Sequence, residues 1–232
     1  MADRFTDNAE FNGTPWSEQM KKFAAFLIGC IALLLAFGST AVQSQVSSST
    51  PGPKLTPIPF LEGRDTLAKE LLAKAPNDSL TAELEAQLKK HINEVFDFAE
   101  LSRLALGDHW GARTVEERKH FVETFSGIIQ EQNFDSFLRY YREGEIAYQK
   151  EAVEGEQATV TALVPLKREQ IEIVYQLHAV DGGWRVYDLG IDGVSTAEGN
   201  RRRYARYIEK HSYEKLITQL DKQLARLRES KD

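Results

Sequence analysis

Few residues in this chain have the type and spacing that chemistry needs. Five histidines are present, His91, His109, His120, His178 and His211. No two stand four apart, the spacing that would set two metal ligands on one helix face. Asp108-His109 is an adjacent carboxylate–imidazole pair, but sequence neighbours usually point apart, and a polar loop after a helix stop accounts for it. Ser195 follows Gly193-Val194 and has the look of a nucleophile. Glu198, three residues on, makes it the start of a capping box instead. No G-x-S-x-G elbow, Walker loop or G-x-G-x-x-G run occurs. Cys30 is the single cysteine, so neither an internal disulfide nor a thiolate zinc site can form. What remains is basic: Arg201, Arg202, Arg203 and Arg206, with Lys210 and Lys215 behind them, in a chain whose net charge is −6. That cluster reads either as a solvated helix face or as an attractor for an anionic group or acidic partner. The overall charge argues against nucleic-acid binding.

The elements that must position these residues are legible in the periodicity. With 42% hydrophobic and 28% charged residues, the chain suits one folded domain. From Leu61 to about Tyr141 the pattern is helical. Leu80, Leu84, Leu88, Ile92 and Val95 form a stripe. Asp97 with Glu100 opens a short helix that Gly107 can stop, and Thr114 with Glu117 opens a long one through Phe121, Phe125, Ile128 and Ile129, continuing past a kink through Phe134, Phe137, Leu138 and Tyr141. The period then changes to two. Strands are expected over 145–153, 157–166, 170–180 and 184–191, separated by Glu154-Gly155-Glu156, Lys167-Arg168-Glu169 and Asp181-Gly182-Gly183, so that four strands form an antiparallel meander. Two helices follow, one from Ser195 through Tyr204 and Tyr207, the other through Leu216, Leu220 and Leu224. Helices, then a meander, then helices make an α+β fold.

The N-terminal region reads differently. Met20-Lys21-Lys22 precedes an apolar run from Phe23 to Phe37 and small residues through Ala41, the form of a secretory signal peptide over 20–41 with cleavage after Ala41. Residues 1–19 are polar and lie outside that signal, so Met20 is read as the start, with a long n-region as the alternative. An uncleaved anchor and a lipobox at Leu27-Ile28-Gly29-Cys30 are the competing readings. Residues 42–59, rich in Ser, Thr and Pro, are expected to be a linker, and the folded domain to occupy 60–230.

Several stretches between Phe96 and Leu220 resemble, in order, the MlaC family, also called the toluene-tolerance or phospholipid-binding ABC-transporter auxiliary family. They are Asp97-Phe98, Leu106-Gly107 with Trp110, then Glu117, Phe121 and Phe125, and Ile173-x-Tyr175. The most specific piece is Gly183-Trp184-Arg185-Val186-Tyr187-Asp188-Leu189 followed by Ile191-Asp192-Gly193-Val194-Ser195. Arg201, Tyr204 and Leu216-Ile217-x-x-Leu220 close the set. Two departures stand out: Thr196 where the family has a larger apolar residue, and Phe134 where a tyrosine is common.

The resemblance implies a periplasmic phospholipid shuttle, monomeric and without a cofactor or catalytic residues. Its partners would be an inner-membrane MCE-domain ABC transporter and an outer-membrane lipoprotein–porin complex, and its task to maintain outer-membrane lipid asymmetry. Exposing two tails of about sixteen carbons would cost ~25 kcal/mol at ~0.8 kcal/mol per CH₂, so a carrier must enclose them, between helices and a twisted sheet in an NTF2-like shape. The expected lining is Phe121, Phe125, Ile128, Ile129 and Phe137 from the long helix, with Val160, Ala162, Val164, Ile173, Tyr175, Trp184 and Val186 from the sheet. On the last strand Tyr187 and Leu189 are as apolar, so either face of it could line the cavity. Arg201 and Arg202 are the expected head-group or docking residues, and a helix or loop beside the meander is expected to gate the cavity. An NTF2-like enzyme is the rival reading, with Tyr175, Asp188 and His178 as its candidate residues.

Overall fold

The computed structural model describes residues 55–75, 79–143, 145–166 and 169–230. Residues 1–19, the proposed signal peptide and residues 42–54 of the proposed linker lie outside them, and Pro57 to Pro59, expected as linker, are helical. The order is helix α1 (Pro57–Leu72), α2 (Ala82–Asn93), α3 (Phe98–Leu106) with a 3-10 turn at Gly107–His109, and α4 (Val115–Glu143). Strands β1 (Ala147–Glu154), β2 (Gln157–Leu166), β3 (Glu169–Val180), β4 (Gly183–Ile191) and β5 (Val194–Ser195) follow, then α5 (Thr196–Lys210) and α6 (Tyr213–Glu229).

The helix starts follow from their caps. The backbone N–H of Glu100 donates to Asp97 Oδ1 at 2.9 Å, that of Glu117 to Thr114 Oγ1 at 3.1 Å, and that of Glu198 to Ser195 Oγ at 3.0 Å. The second box is reciprocal, since Thr114 N–H donates to Glu117 Oε2 at 2.8 Å. Helix α1 begins at Pro57, three residues before the expected edge of the domain. A proline in the first turn sacrifices only an N–H that has no intrahelical partner, and its fixed φ already suits the helix. The free N–H of Ile58 in that turn donates to Glu151 Oε2 of β1 at 2.7 Å, and Trp184 Nε1 donates to Leu55 O at 2.8 Å. The start of α1 is thereby tied to both β1 and β4. The long helix runs without interruption for 29 residues, with no break at the expected kink.

The sheet is an antiparallel meander in the order β1-β2-β3-β4-β5. It has five strands where four were expected. Asp192 and Gly193, at φ 47° and 78°, turn the chain back so that Gly190 pairs Ser195 and Ile191 pairs Val194. This is the two-residue hairpin chemistry of an Asp-Gly dipeptide, and the strand it creates is too short to show a period.

The sheet turns one face to the helices, burying Val160, Ala162, Val164, Ile171, Ile173, Tyr175, Leu177, Trp184, Val186 and Leu189. On β4 the alternation slips. Leu177 pairs Val186, yet Gln176 pairs Asp188, so Tyr187 is the extra residue of a bulge. Val186 and Leu189 therefore face the same way although they differ in parity.

A second core lies among the helices, where Phe121, Phe125 and Ile128 of α4 meet Leu101, Tyr204, Leu216 and Leu220. A third joins α2 to α4 through Leu84, Leu88, Ile92, Phe134 and Leu138. Helix α4, about 43 Å long at 1.5 Å per residue, thus gives its first half to the helical core and its second half to the sheet and α2.

Candidate functional site

Two mostly apolar spaces open between the second half of α4, the α2–α3 connection and the sheet. The first has about 480 Å³ of empty volume, part of it open to solvent, and is lined by Ile92, Phe96, Phe98, Leu101, Ile129, Phe134, Phe137 and Leu189, with Lys89, Asn93, Gln130, Asn133 and Thr196 as its polar members. The second has about 530 Å³ on the same measure and is roofed by Leu61, Arg64 and Asp65 of α1. Its walls include Ile92, Val95, Phe96, Phe137, Tyr140, Ile146, Tyr148, Ile173 and Tyr175, with His91 and Tyr141 beside the roof. Ile92, Phe96 and Phe137 belong to both, so the spaces are neighbours that share a wall.

Phe96 is held in that wall by backbone pairing. The connector after α2 lies parallel to β4, with Val186 N–H donating to Val95 O at 2.9 Å and Asp97 N–H to Val186 O at 2.8 Å. This stretch of β4 has its edge free, because β5 reaches only Gly190 and Ile191. Phe96 then stacks on Phe98 at a centroid distance of 5.4 Å.

Of the twelve residues expected to line a cavity, Ile129 and Phe137 line the first space, and Phe137, Ile173 and Tyr175 the second. Val160, Ala162, Val164, Trp184 and Val186 lie in the sheet core beneath. Phe121, Phe125 and Ile128 are elsewhere. Phe121 stacks on Phe125 at 5.7 Å, and both meet Tyr204 edge-on at 6.0 Å inside the helical core. Both sequence departures, Thr196 and Phe134, line the first space. The Thr196 hydroxyl donates to Leu189 O at 2.7 Å.

Arg201 and Arg202 line neither space. Arg201 makes a two-pronged pair with Glu198 (Nε to Oε2 2.6 Å, Nη2 to Oε1 2.9 Å), and Arg202 Nε reaches the same carboxylate at 2.6 Å. The Arg201 and Arg202 guanidiniums hold the partly exposed Glu198 carboxyl down at about 2. The Arg201 stem packs over Gly107.

The residues of the rival enzymatic reading are not brought together. Tyr175 faces the helices. His178 lies with Nε2 3.1 Å from Asp97 Oδ2 and its ring 5.5 Å from Tyr187. Asp188 accepts the backbone N–H groups of Leu189 and Ala197, each at 2.9 Å, and the Ser195 hydroxyl. It secures the start of α5.

A polar group that periodicity did not reveal sits under α1. Asp65 accepts the Tyr148 hydroxyl on Oδ2 at 2.7 Å and the Tyr141 hydroxyl on Oδ1 at 3.1 Å. Burial pushes its carboxyl above the usual carboxylate range, although both hydroxyls pull it down. Burial likewise pushes Tyr141, Tyr148 and Tyr175 up, keeping them as phenols. An aspartate in a helical stretch facing distant tyrosines leaves no local signal in the sequence.

Compared with known proteins, residues 65–222 match the model of the family described as MlaC protein. The chain belongs to the MlaC family. Among solved structures, this MlaC-family chain is similar to a phospholipid-binding protein from Ralstonia solanacearum determined in complex with a phospholipid. The identity is 21% and the TM-score 0.60, over 74% of this chain and 96% of that one. At this identity the likeness is one of fold. No curated protein matches the sequence. The family match covers the whole lining of the first space and all of the second except Leu61 and Arg64, and the stretch from Gly183 to Ser195 forms β4, its bulge, the β4–β5 hairpin and the cap of α5.

Proposed function

We propose that this protein is a phospholipid carrier, exported to the periplasm by a cleaved signal peptide. It takes lipid between an outer-membrane lipoprotein–porin complex and an inner-membrane MCE-domain ABC transporter and thereby maintains outer-membrane lipid asymmetry. One observation carries the reading: two adjoining apolar spaces lie between α4 and the sheet, in the fold of a protein solved with a phospholipid bound. The wall between them is made of side chains, which can turn. Tails placed there are removed from water at ~0.8 kcal/mol per CH₂.

Release requires an opening, and α1 is the element suited to give it. It supplies only Leu61, Arg64 and Asp65 to the second space, and its start is tied to the sheet by single hydrogen bonds. Arg201 and Arg202 of α5 are assigned to docking: they outnumber the Glu198 charge that they share and line neither space, so a partner can reach them. The deciding experiment is native mass spectrometry of the mature protein purified from the periplasm. One phospholipid per chain is the expected result, and a chain that stays lipid-free after incubation with phospholipid vesicles overturns the reading.

A further inference from the structure

The carrier reading leaves Asp65 unexplained. As a clamp on α1, a neutral amide would accept and donate hydrogen bonds to the same two tyrosines without the cost of burying a charge. A carboxylate adds charge, and Lys69 of α1 favours that charge from a distance without pairing with it. Among the described residues no Lys, Arg or His nitrogen forms an ion pair with Asp65. The adjacent Arg64 turns its Nη2 to His91 O at 2.9 Å and to Glu94 Oε2 at 3.3 Å. Each Asp65 oxygen takes one tyrosine hydroxyl, which leaves about two of its roughly four lone-pair sites open. The residue is partly exposed and lines the second space, so a ligand can reach it. Around it, Tyr148 and Tyr175 stand with ring centroids 6.1 Å apart and tilted by 44°. A carboxylate and an aromatic face each attract a cation, and Asp65, Tyr148 and Tyr175 line the same space. Next to this group, the Nε–H of Arg64 is buried and lacks a hydrogen-bond partner.

From this we infer that the rim of the second space is a head-group receptor for a phospholipid bearing a primary ammonium. Asp65, Tyr148 and Tyr175 hold the ammonium, and Arg64 donates to the phosphate. This inference rests on the carrier reading and narrows it to an aminophospholipid such as phosphatidylethanolamine. A purely anionic lipid would set its negative head group against Asp65. The apolar walls behind the rim point to a lipid and not to a free amine.

The test uses the mature protein equilibrated with vesicles of equal phosphatidylethanolamine and phosphatidylglycerol content, followed by mass analysis of the bound lipid. The wild type is expected to be enriched about tenfold or more in phosphatidylethanolamine, and Asp65→Asn to return the ratio to within about twofold of the vesicles. A wild-type ratio equal to that of the vesicles overturns the inference while leaving the carrier reading intact. So does an Asp65→Asn protein with undiminished preference. A wild type that binds neither lipid overturns the carrier reading itself. Should Asp65→Asn fail to fold, the wild type is offered phosphatidylethanolamine against its N-acetyl derivative, which has lost the cation. Equal binding of these two defeats the inference, as does full competition by soluble phosphoethanolamine, which would make the site one for a free amine.

Discussion

The rings of Phe96 and Phe137 stand 6.2 Å apart, centroid to centroid, and tilted by 52°, in the wall shared by the two apolar spaces. One ring comes from a connector pinned to β4 and the other from the long helix, so the partition depends on two separately held elements. Truncation by Phe137→Ala is expected to merge the spaces and shift the bound lipids toward longer tails. The chain-length distribution of extracted lipid is the measurement, and an unaltered distribution rules Phe137 out as the partition.

Two residues that the sequence groups together should respond in different ways. Phe125 is 1% exposed in the helical core, so Phe125→Ala should cost ~3–5 kcal/mol of stability in denaturant titrations. Ile173 lines the second space. Ile173→Trp should lower the bound lipid at a smaller cost in stability, ~1–3 kcal/mol from overpacking. Lipid loss from both variants at unchanged stability would contradict this division.

Gly107 ends α3 at φ 57° and ψ −131°, a conformation that is costly for a residue with a side chain. A Cβ there would also lie 2.8 Å from Arg201 Cγ and 2.9 Å from Cδ. Gly107→Ala should lose roughly 1–3 kcal/mol. Combining it with Arg201→Ala should recover only part of that, because the backbone strain stays. A double-mutant cycle with no coupling would show that the Arg201 stem is not what fills the space over Gly107.

Glu198, held down at about 2 from an ordinary 4.5 by Arg201 and Arg202, should titrate near pH 2 in carbon-detected NMR and move up in Arg202→Ala. A depressed carboxyl favours the folded state once it is ionised. Its contribution, measured against Glu198→Gln, should therefore be present above about pH 4.5 and disappear as pH falls toward 2. An ordinary midpoint in the wild type would mean that the two arginines do not hold the carboxylate in solution.

If α1 is the gate, loosening its start should speed lipid transfer. Glu151→Ala removes the carboxylate that accepts the Ile58 N–H, an interaction at a helix N-terminus worth roughly 0.5–1 kcal/mol. Transfer to acceptor vesicles should accelerate two- to fivefold, in line with that figure. A rate equal to the wild type assigns the gate to another element.

Much of the frame was legible because it is written locally. The capping boxes at Asp97, Thr114 and Ser195 each form their hydrogen bond, and the β2 limits, 157–166, are as expected. What was not legible depends on partners distant in sequence. Periodicity says that Phe121, Phe125 and Ile128 are buried, but the same stripe would arise whether they faced a sheet or, as here, Tyr204, Leu216 and Leu220. The β4 bulge at Tyr187 carries no glycine to betray it, so neither parity alone describes that strand. Asp192-Gly193 did carry a hairpin signal, submerged in a motif read for its likeness alone. The contacts of Asp65 with Tyr141 and Tyr148 span 76 and 83 residues.

The hydrogen bond from Trp184 to Leu55 O, spanning 129 residues, anchors the backbone just ahead of α1. Anything fused upstream of Leu55 pulls at the root of the helix that roofs the second space. A purification handle or surface tether placed there would load α1 mechanically and alter exchange kinetics, whereas one placed after Glu229 would act through α6, which is held in the helical core. Kinetic work on this protein should therefore be immobilised by its tail.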